Sequence, residues 1–251
     1  AYLACRGAGL HIFDITDPEN PVWVNSVDSI APYAIDVDGG IAAVRNNISD
    51  TDDLYFLDVS TPETASILTS FNLDSSPFAD FSIVVSGGFA YVGVDSKGLS
   101  IYDIDPPEEI GLVSNIDEGM DLVNQIAYED GYIWMTMFDH FGSPSDTPWV
   151  KKIDVDPPES VHVVKSKAYH DLAGVSGIAV ANGHVLVGCN TFQLEMYIDV
   201  LDSSDLSQVH SLESPSFGFE ISGNYLYTSS YHDAPANTII DISDPASAYV
   251  V

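Results

Sequence analysis

The sequence has very little positive charge. Its 251 residues include only seven Lys and Arg against 38 Asp and Glu, and the formal net charge is −31 at pH 7. Proteins bind nucleic acid largely through Lys and Arg contacts to phosphate, so we expect no nucleic-acid partner. Anionic membrane surfaces are disfavoured for the same reason.

The carboxylates are spread along the whole chain. One interpretation is a solvated acidic surface of a halophilic protein, because a Debye length of roughly 3 Å at 1 M salt screens the repulsion. The alternative is a carboxylate array that collects divalent cations such as Ca²⁺. No stretch has the spacing of a dedicated calcium loop, which favours the first interpretation.

Long apolar runs are also missing. No run of eighteen or more apolar residues occurs, and this predicts that the chain does not insert into a membrane. The opening segment from Ala1 to Cys5 reads as the middle of a strand rather than as a signal peptide, so we expect further sequence upstream of Ala1.

What the sequence does contain is a repeat. A short apolar segment that ends in aspartate returns six times, at intervals of 42 to 51 residues. A unit of about 40–50 residues made of short strands is typical of a β-propeller blade. The six aspartates are Asp14, Asp58, Asp103, Asp154, Asp199 and Asp241.

Each repeat can be divided into four strands. The first strand runs into a turn rich in Gly, Asn and Asp, such as Asn182-Gly183, which supplies the positive φ angles of tight hairpins. We therefore predict an all-β fold, a six-bladed β-propeller of four-stranded antiparallel blades, in which the first blade lacks its inner strand. A closed ring would take that strand from beyond Val251 or from before Ala1. The predicted single domain covers 1–251, with blades at about 1–29, 30–73, 74–117, 118–168, 169–213 and 214–251.

The third strand of each repeat carries a signature. Leu10-His-Ile-Phe-Asp14, followed by Thr16-Asp17-Pro18, resembles the LVIVD repeat family, whose blades contain Leu-x-Ile-x-Asp and then Ser/Thr-Asp-Pro. The segments 54–58 and 99–103 fit as well, whereas later repeats keep only Ile-x-Asp or Ile-Asp. The resemblance implies a bacterial or archaeal propeller that is exported or surface-attached, hence extracellular, on the cell surface or periplasmic. It implies no family-wide activity and transfers no catalytic residue.

The repeated aspartates could be read as a ring of ligands. We instead predict a structural role, because a carboxylate at a strand end before a turn accepts backbone N–H bonds and fixes that turn. The two cysteines also follow the repeat. Cys5 and Cys189 hold the same position in the first and fifth blades, too far apart for a disulfide, and are predicted to be small buried apolar residues.

Function is expected on the loops that join second and third strands and on those that lead into the next first strand. Loops on a rigid scaffold carry function more often than the scaffold does, and the insertion at 138–149 is the longest. The candidate binding residues on these loops are Asp50, Asp52, Asp53, Asp139, His140, Trp149, His170, Tyr231 and His232.

Adjacent His and Asp residues on these loops could bind a metal. Imidazoles and carboxylates from Asp139, His140, His232 and Asp233 are ligands that Zn²⁺ accepts, and the carboxylates suit Ca²⁺. The alternative is a set of unrelated polar loop residues in an acidic chain.

A third set of candidates lies on the first strands, which would face a central channel. These are Asp36, Asp80, Asn124 and Glu220, at positions where calcium-dependent propeller lactonases place carboxylates and amides. The set is sparse, and neither a Gly-x-Ser-x-Gly elbow nor an activated nucleophile is visible, so no catalytic residue is assigned.

Three functions follow from this sequence. The leading hypothesis is a non-catalytic propeller that binds a protein or carbohydrate partner with its acidic loops. The alternatives are a metal-dependent (Ca or Zn) hydrolase that uses the channel carboxylates, and a structural component of a larger extracellular assembly. No cofactor other than Ca²⁺ is suggested for the scaffold.

Overall fold

The computed structural model describes residues 1–48, 51–73, 81–94, 97–117, 122–138, 147–193, 195–214, 218–229 and 237–251. It confirms the predicted fold class, an all-β six-bladed β-propeller whose first blade has three strands and whose other blades have four. In these ranges the helices are single 3₁₀ turns, at Arg6–Ala8, Pro62–Thr64, Pro107–Glu109 and Pro245–Ser247. A helix long and apolar enough to cross a membrane is not found in the described part of the chain.

Two compact units divide the chain, Ala1–Ile116 and Asp117–Val251. The first unit holds blades 1 to 3, each an antiparallel sheet of consecutive strands. Blade 1 is β1 (Tyr2–Ala4), β2 (Leu10–Asp14) and β3 (Val22–Val27); blade 2 is β4 (Pro32–Asp38), β5 (Ile41–Ile48), β6 (Thr51–Asp58) and β7 (Ser66–Asn72); blade 3 is β8 (Phe81–Ser86), β9 (Phe89–Val94), β10 (Gly98–Asp103) and β11 (Gly111–Ile116).

The second unit holds blades 4 to 6, built in the same way. Blade 4 is β12 (Leu122–Glu129), β13 (Tyr132–Phe138), β14 (Pro148–Asp154) and β15 (His162–Ala168); blade 5 is β16 (Gly174–Ala181), β17 (His184–Asn190), β18 (Met196–Asp202) and β19 (Gln208–Glu213); blade 6 is β20 (Gly218–Ser222), β21 (Tyr225–Ser229), β22 (Asn237–Asp241) and β23 (Tyr249–Val250).

The turns between first and second strands have the predicted left-handed backbone. Asn182 and Gly183 have φ angles of 51° and 73°, the conformation that a tight hairpin with the natural strand twist requires. In blade 2 the same turn also needs glycine for space. A Cβ on Gly40 would lie 2.9 Å from the Cβ of Ser60, so the chain that follows the third strand would have to move.

Blades within a unit pack face to face through alternate residues of their strands. Phe56 of blade 2 is fully buried and belongs to one apolar cluster with Val85 and Val92 of blade 3. In the second unit, Leu186 of blade 5 shares a cluster with Leu226 of blade 6. Because successive strand residues point to opposite faces, each four-stranded blade can bury both faces. Burial of one such side chain stabilises the fold by about 1.5–3 kcal/mol.

Candidate functional site

The aspartates at the ends of third strands fix the turns that follow them, as predicted. The Asp14 carboxylate accepts hydrogen bonds from the backbone N–H (2.8 Å) and the hydroxyl (2.6 Å) of Thr16. Asp58 accepts the equivalent pair from Ser60, at 2.9 and 2.6 Å. Local hydrogen bonds of this kind turn the chain without any ligand, so these carboxylates have a structural role.

The assignment of Asp199 to this set was wrong. Asp202, not Asp199, occupies the position, because it lies opposite His184, the first residue of the second strand, as Asp58 lies opposite Ile41. Asp202 accepts bonds of 2.8 and 2.5 Å from the backbone N–H and hydroxyl of Ser204. The sequence contained the signal, since Asp-x-Ser/Thr occurs at Asp14, Asp58, Asp202 and Asp241 but not at Asp199.

These turns lower the pKa of the carboxyl groups that hold them. The hydroxyl of Ser60, followed by its backbone N–H, lowers the pKa of Asp58. Ser204 acts in the same way on Asp202, and Ser243 on Asp241. A hydrogen bond donated to the ionised form stabilises that form, which is why the shift is downward.

Two of the candidate channel residues form hydrogen bonds to the next blade. Asp36 on β4 accepts a hydrogen bond of 2.7 Å from the backbone N–H of Val85 on β8. Asn124 on β12 donates from Nδ2 to the carbonyl oxygen of Val175 on β16, at 2.6 Å. Each therefore joins the first strands of adjacent blades within one unit. Glu220 on β20 is exposed, and Asp80 lies outside the described residues.

The seam between blades 4 and 5 has further links of this type. Gln125 accepts a bond of 3.3 Å from the backbone N–H of Ile178 through Oε1, and the Thr136 hydroxyl donates to the carbonyl oxygen of Ser176 at 3.1 Å. The first strand of blade 4 is irregular at this point, with a register shift between Val123 and Gln125. The shift is a bulge, which frees backbone groups for contacts outside the sheet.

Most of the predicted loop residues fall outside the described part of the chain. Asp50, Asp139, His140, Tyr231, His232 and Asp233 lie there, and with them the whole predicted metal set. Of the remaining candidates, His170 is exposed and Trp149 half-buried on β14, while Asp53 lies on β6 opposite Asn46 and Asn72, and Asp52 precedes it on the same strand. Among the residues that the structure describes, three or more His, Cys, Asp or Glu side chains do not come together in a metal-binding arrangement.

Both cysteines are free thiols. Cys189 is buried in the seam between blades 4 and 5, and burial raises the pKa of its thiol. Cys5 is only half-buried, so the prediction that both are buried holds for Cys189 alone. A thiol whose pKa is raised by burial is a poor nucleophile, which agrees with a packing role for Cys189.

Asp199 is a buried carboxylate that the sequence did not reveal. Only 3% of its surface is exposed, and it accepts a hydrogen bond of 3.0 Å from the side-chain amide of Gln208. Burial raises its pKa, while the hydroxyl of Ser211 and the charge of Lys167 act in the opposite direction. The Lys167 ammonium lies 5.3 Å from the centre of the Tyr169 ring. A carboxyl group is thus buried between blades 4 and 5 with a small set of polar partners.

Two of the grooves formed by the described residues follow the repeat. A groove of about 550 Å³ lies between the Asp14 turn and Pro62 of the next blade, and one of about 370 Å³ lies between Asp58 and Pro107. Both follow from the same packing of a strand-end turn against the 3₁₀ turn of the next blade. They are consequences of the repeat rather than of a specific site.

The third groove is different, because it lies at the opposite end of the strands, beside the 191–195 loop that joins a second to a third strand. It has a volume of about 690 Å³ and is formed by blade 5 alone. We call it the β18–β19 groove. Its lining residues are Glu195, Met196, Tyr197, Gln208, Ser211, Leu212 and Glu213. None of these residues was predicted from the sequence, although function was expected on loops of this type.

Sequence comparison supports the repeat assignment. The LVIVD repeat model matches residues 1–29, 81–118 and 218–251, which include blades 1, 3 and 6. The resemblance seen in the third-strand signature is therefore confirmed, and the chain carries LVIVD repeats. No curated protein sequence matches this chain.

Solved structures resemble the fold at low sequence identity. A chain of the mitotic checkpoint complex superposes with a TM-score of 0.72 at 12% identity, covering all of this chain and 74% of that one. The computationally designed Ika8 protein superposes with a TM-score of 0.66 at 13% identity, covering 97% of this chain and 68% of the designed chain. At such identities the likeness shows the fold and carries no function.

Proposed function

We propose that this LVIVD-repeat β-propeller is a non-catalytic binding scaffold, exported or displayed at the cell surface, which holds a protein or carbohydrate partner. In this proposal the blades supply the scaffold, and the loops together with the β18–β19 groove supply the contact surface. Binding residues on loops that a rigid scaffold positions are the common arrangement in such folds.

The observation that carries this proposal is the use made of the first-strand polar groups. Asp36 and Asn124 each use one polar atom of the side chain to bind a backbone group of the neighbouring blade, at 2.7 and 2.6 Å. A general base or a metal ligand needs a lone pair that faces substrate, in hydrogen-bond reach of the reacting group. Two of the four candidate channel groups are therefore oriented by contacts between blades.

Charge supports the same proposal. The net charge of −31 favours cationic or neutral partners and disfavours nucleic acid and anionic surfaces. A neutral glycan or a basic protein surface is compatible with this field.

Three measurements on the purified full chain test the proposal. Elemental analysis after dialysis is expected to show no stoichiometric calcium or zinc. An ester-hydrolysis assay, run before and after addition of EDTA, is expected to show no chelator-sensitive turnover. Peptide and glycan arrays are expected to show saturable binding to at least one class. Stoichiometric calcium or zinc, together with hydrolysis lost on chelation and on Glu220→Gln, would establish the metal-dependent hydrolase instead. Cell fractionation tests the location, and a purely cytoplasmic protein would contradict export.

A further inference from the structure

We propose that the β18–β19 groove binds the side chain of a lysine or arginine presented by a partner protein. The inference rests on the proposed scaffold function, because it names the chemical class that one surface of the scaffold accepts.

Two carboxylates stand at one end of the groove. Glu213 on β19 lies directly opposite Tyr197 on β18, and side chains at such paired positions are about 4.5–5.5 Å apart at Cβ. Glu195 lies two residues before Tyr197, at the end of the short 191–195 loop. Both glutamates are exposed, so their carboxylates are available to a partner.

The backbone of Glu195 is held in place by its own loop. Its N–H donates to the Thr191 hydroxyl at 3.1 Å, and its carbonyl oxygen accepts from the Thr191 N–H at 2.9 Å. These two bonds tie Glu195 to Thr191, which limits the backbone freedom that Glu195 has to lose on binding. Pre-organisation of this kind improves affinity without a new contact.

The rest of the groove suits the stem of a long cationic side chain. Tyr197 is half-buried and shares a sheet face with Glu213, so it gives the groove an apolar surface. Lysine and arginine bury their methylene stems along apolar surface while the charged end stays in a polar setting. The Tyr197 ring adds an aromatic face, on which an ammonium or guanidinium group is attracted by the ring quadrupole.

A third carboxylate lies behind the groove. Asp199 is almost fully buried and is bonded to Gln208, which lines the groove, at 3.0 Å. Burial disfavours the ionised form of Asp199 and raises its pKa, so the negative charge at the groove rests on Glu195 and Glu213. Lys167 of β15 acts on Asp199 from the blade 4 side, and no Lys or Arg is found among the described residues that line the groove. The two exposed carboxylates of the groove therefore have no cationic neighbour within that lining.

Other ligand classes fit less well. A phosphate or carboxylate would meet Glu195 and Glu213, which repel it. A neutral sugar could use Tyr197 and Gln208 but would gain nothing from two carboxylates at one end. A groove of about 690 Å³ is larger than one side chain, which leaves space for the flanking backbone of a peptide.

The test must separate this site from the general attraction of an acidic chain for cations. We would titrate the full chain with acetyl-Gly-Lys-Gly-amide at physiological ionic strength and follow backbone amide shifts by NMR. The matched peptide carries Nε-acetyl-lysine, which keeps the stem and removes the charge. The test variant is Glu195→Gln/Glu213→Gln, and the control is Glu108→Gln/Glu109→Gln in blade 3, which changes net charge by the same amount.

We expect shifts concentrated on β18 and β19 and a loss of affinity of about tenfold or more in the groove variant, as for removal of two charge contacts. The control variant should bind within about twofold of the parent, since exposed charges far from a contact act weakly through screened solvent. Circular dichroism should show both variants folded.

If both variants lose the same affinity for the lysine peptide, the peptide is attracted by net charge only and the proposed site is wrong. If the acetylated peptide binds as tightly as the lysine peptide, the groove has no specificity for a cation. If the lysine peptide does not bind while the arrays find a partner elsewhere on the chain, this inference fails and the scaffold function stands.

Discussion

The carboxylate of Asp36 accepts a hydrogen bond of 2.7 Å from the backbone N–H of Val85, a residue 49 positions later in the chain. The bond joins the first strand of blade 2 to the first strand of blade 3. Such hydrogen bonds hold neighbouring blades together, as ladder hydrogen bonds hold the strands of one sheet together. They also explain why a polar residue on a first strand is not by itself a sign of chemistry.

Removing this link should destabilise the first unit. We expect Asp36→Ala to cost about 1–3 kcal/mol in the free energy of unfolding, because it leaves a backbone N–H without its charged acceptor. Asp36→Asn keeps an acceptor oxygen and should cost less. The control is Asp38→Ala, because exposed Asp38 accepts a longer bond of 3.2 Å from Gly87 and its loss should change stability by about 0.5 kcal/mol or less. Urea denaturation measures all three, and equal losses for the two alanine variants would contradict the proposed link.

Asp199 should make the protein less stable as pH rises. Burial raises the pKa of Asp199 in the folded state. The stability that comes from this shift is therefore fully present below the unfolded pKa and is lost as pH rises through the folded pKa. Asp199→Asn keeps the shape and cannot ionise. Its melting temperature should therefore increase relative to the parent between about pH 4 and about pH 8.

Glu159→Gln is the control for this pH series, since it removes one charge from an exposed turn. Its melting temperature should stay at a constant offset from that of the parent. A constant offset for Asp199→Asn as well, or a difference that shrinks with pH, would mean that Asp199 is not held in a low-dielectric setting.

The turn carboxylates should show the opposite pH dependence. Ser60 lowers the pKa of Asp58, so the stability that this turn contributes is present above the unfolded pKa and is lost as pH falls through the folded pKa. Ser60→Ala should raise the pKa of Asp58 towards its usual value. Ser60→Thr should preserve the low pKa, because Thr16 makes the same bonds to Asp14. Carboxyl-carbon NMR titration measures the shift, and an unchanged Asp58 pKa in the alanine variant would refute the assignment.

The seam between blades 2 and 3 should be sensitive to truncation. Phe56 is fully buried, and its ring centre lies 6.0 Å from that of Phe71 and 5.6 Å from that of Tyr102. We expect Phe56→Ala to cost about 3–5 kcal/mol, because the removed ring leaves a cavity that the sheets cannot close. Leu112→Ala, at a position that is 55% exposed, should cost about 0.5 kcal/mol or less. Comparable losses in the two variants would show that this seam is not closely packed.

Salt should stabilise the fold. A formal charge of −31 on 251 residues destabilises the folded state by repulsion between like charges. Screening at high ionic strength weakens this repulsion. The melting temperature should therefore rise steadily as sodium chloride is increased from about 0.05 M to about 1 M. A melting temperature that stays level or falls would contradict the halophilic interpretation of the charge.

Local signals in the sequence determined the architecture. Hairpin turns such as Asn182-Gly183 and the returning apolar segment that ends in aspartate each depend on a few neighbouring residues, so they can be read without coordinates. They sufficed to predict six blades, a short first blade and turn-fixing aspartates. The one misplaced signature, Asp199 for Asp202, arose because two aspartates three residues apart both follow apolar residues.

Only the tertiary structure decided what the polar side chains do. Asp36 finds its partner 49 residues away and Asn124 finds its partner 51 residues away, in the next blade in each case. The β18–β19 groove likewise depends on the register that sets Glu213 beside Tyr197. Turn chemistry and strand period are properties of neighbouring residues, whereas a hydrogen bond between blades and the lining of a groove depend on how separate strands come together in space.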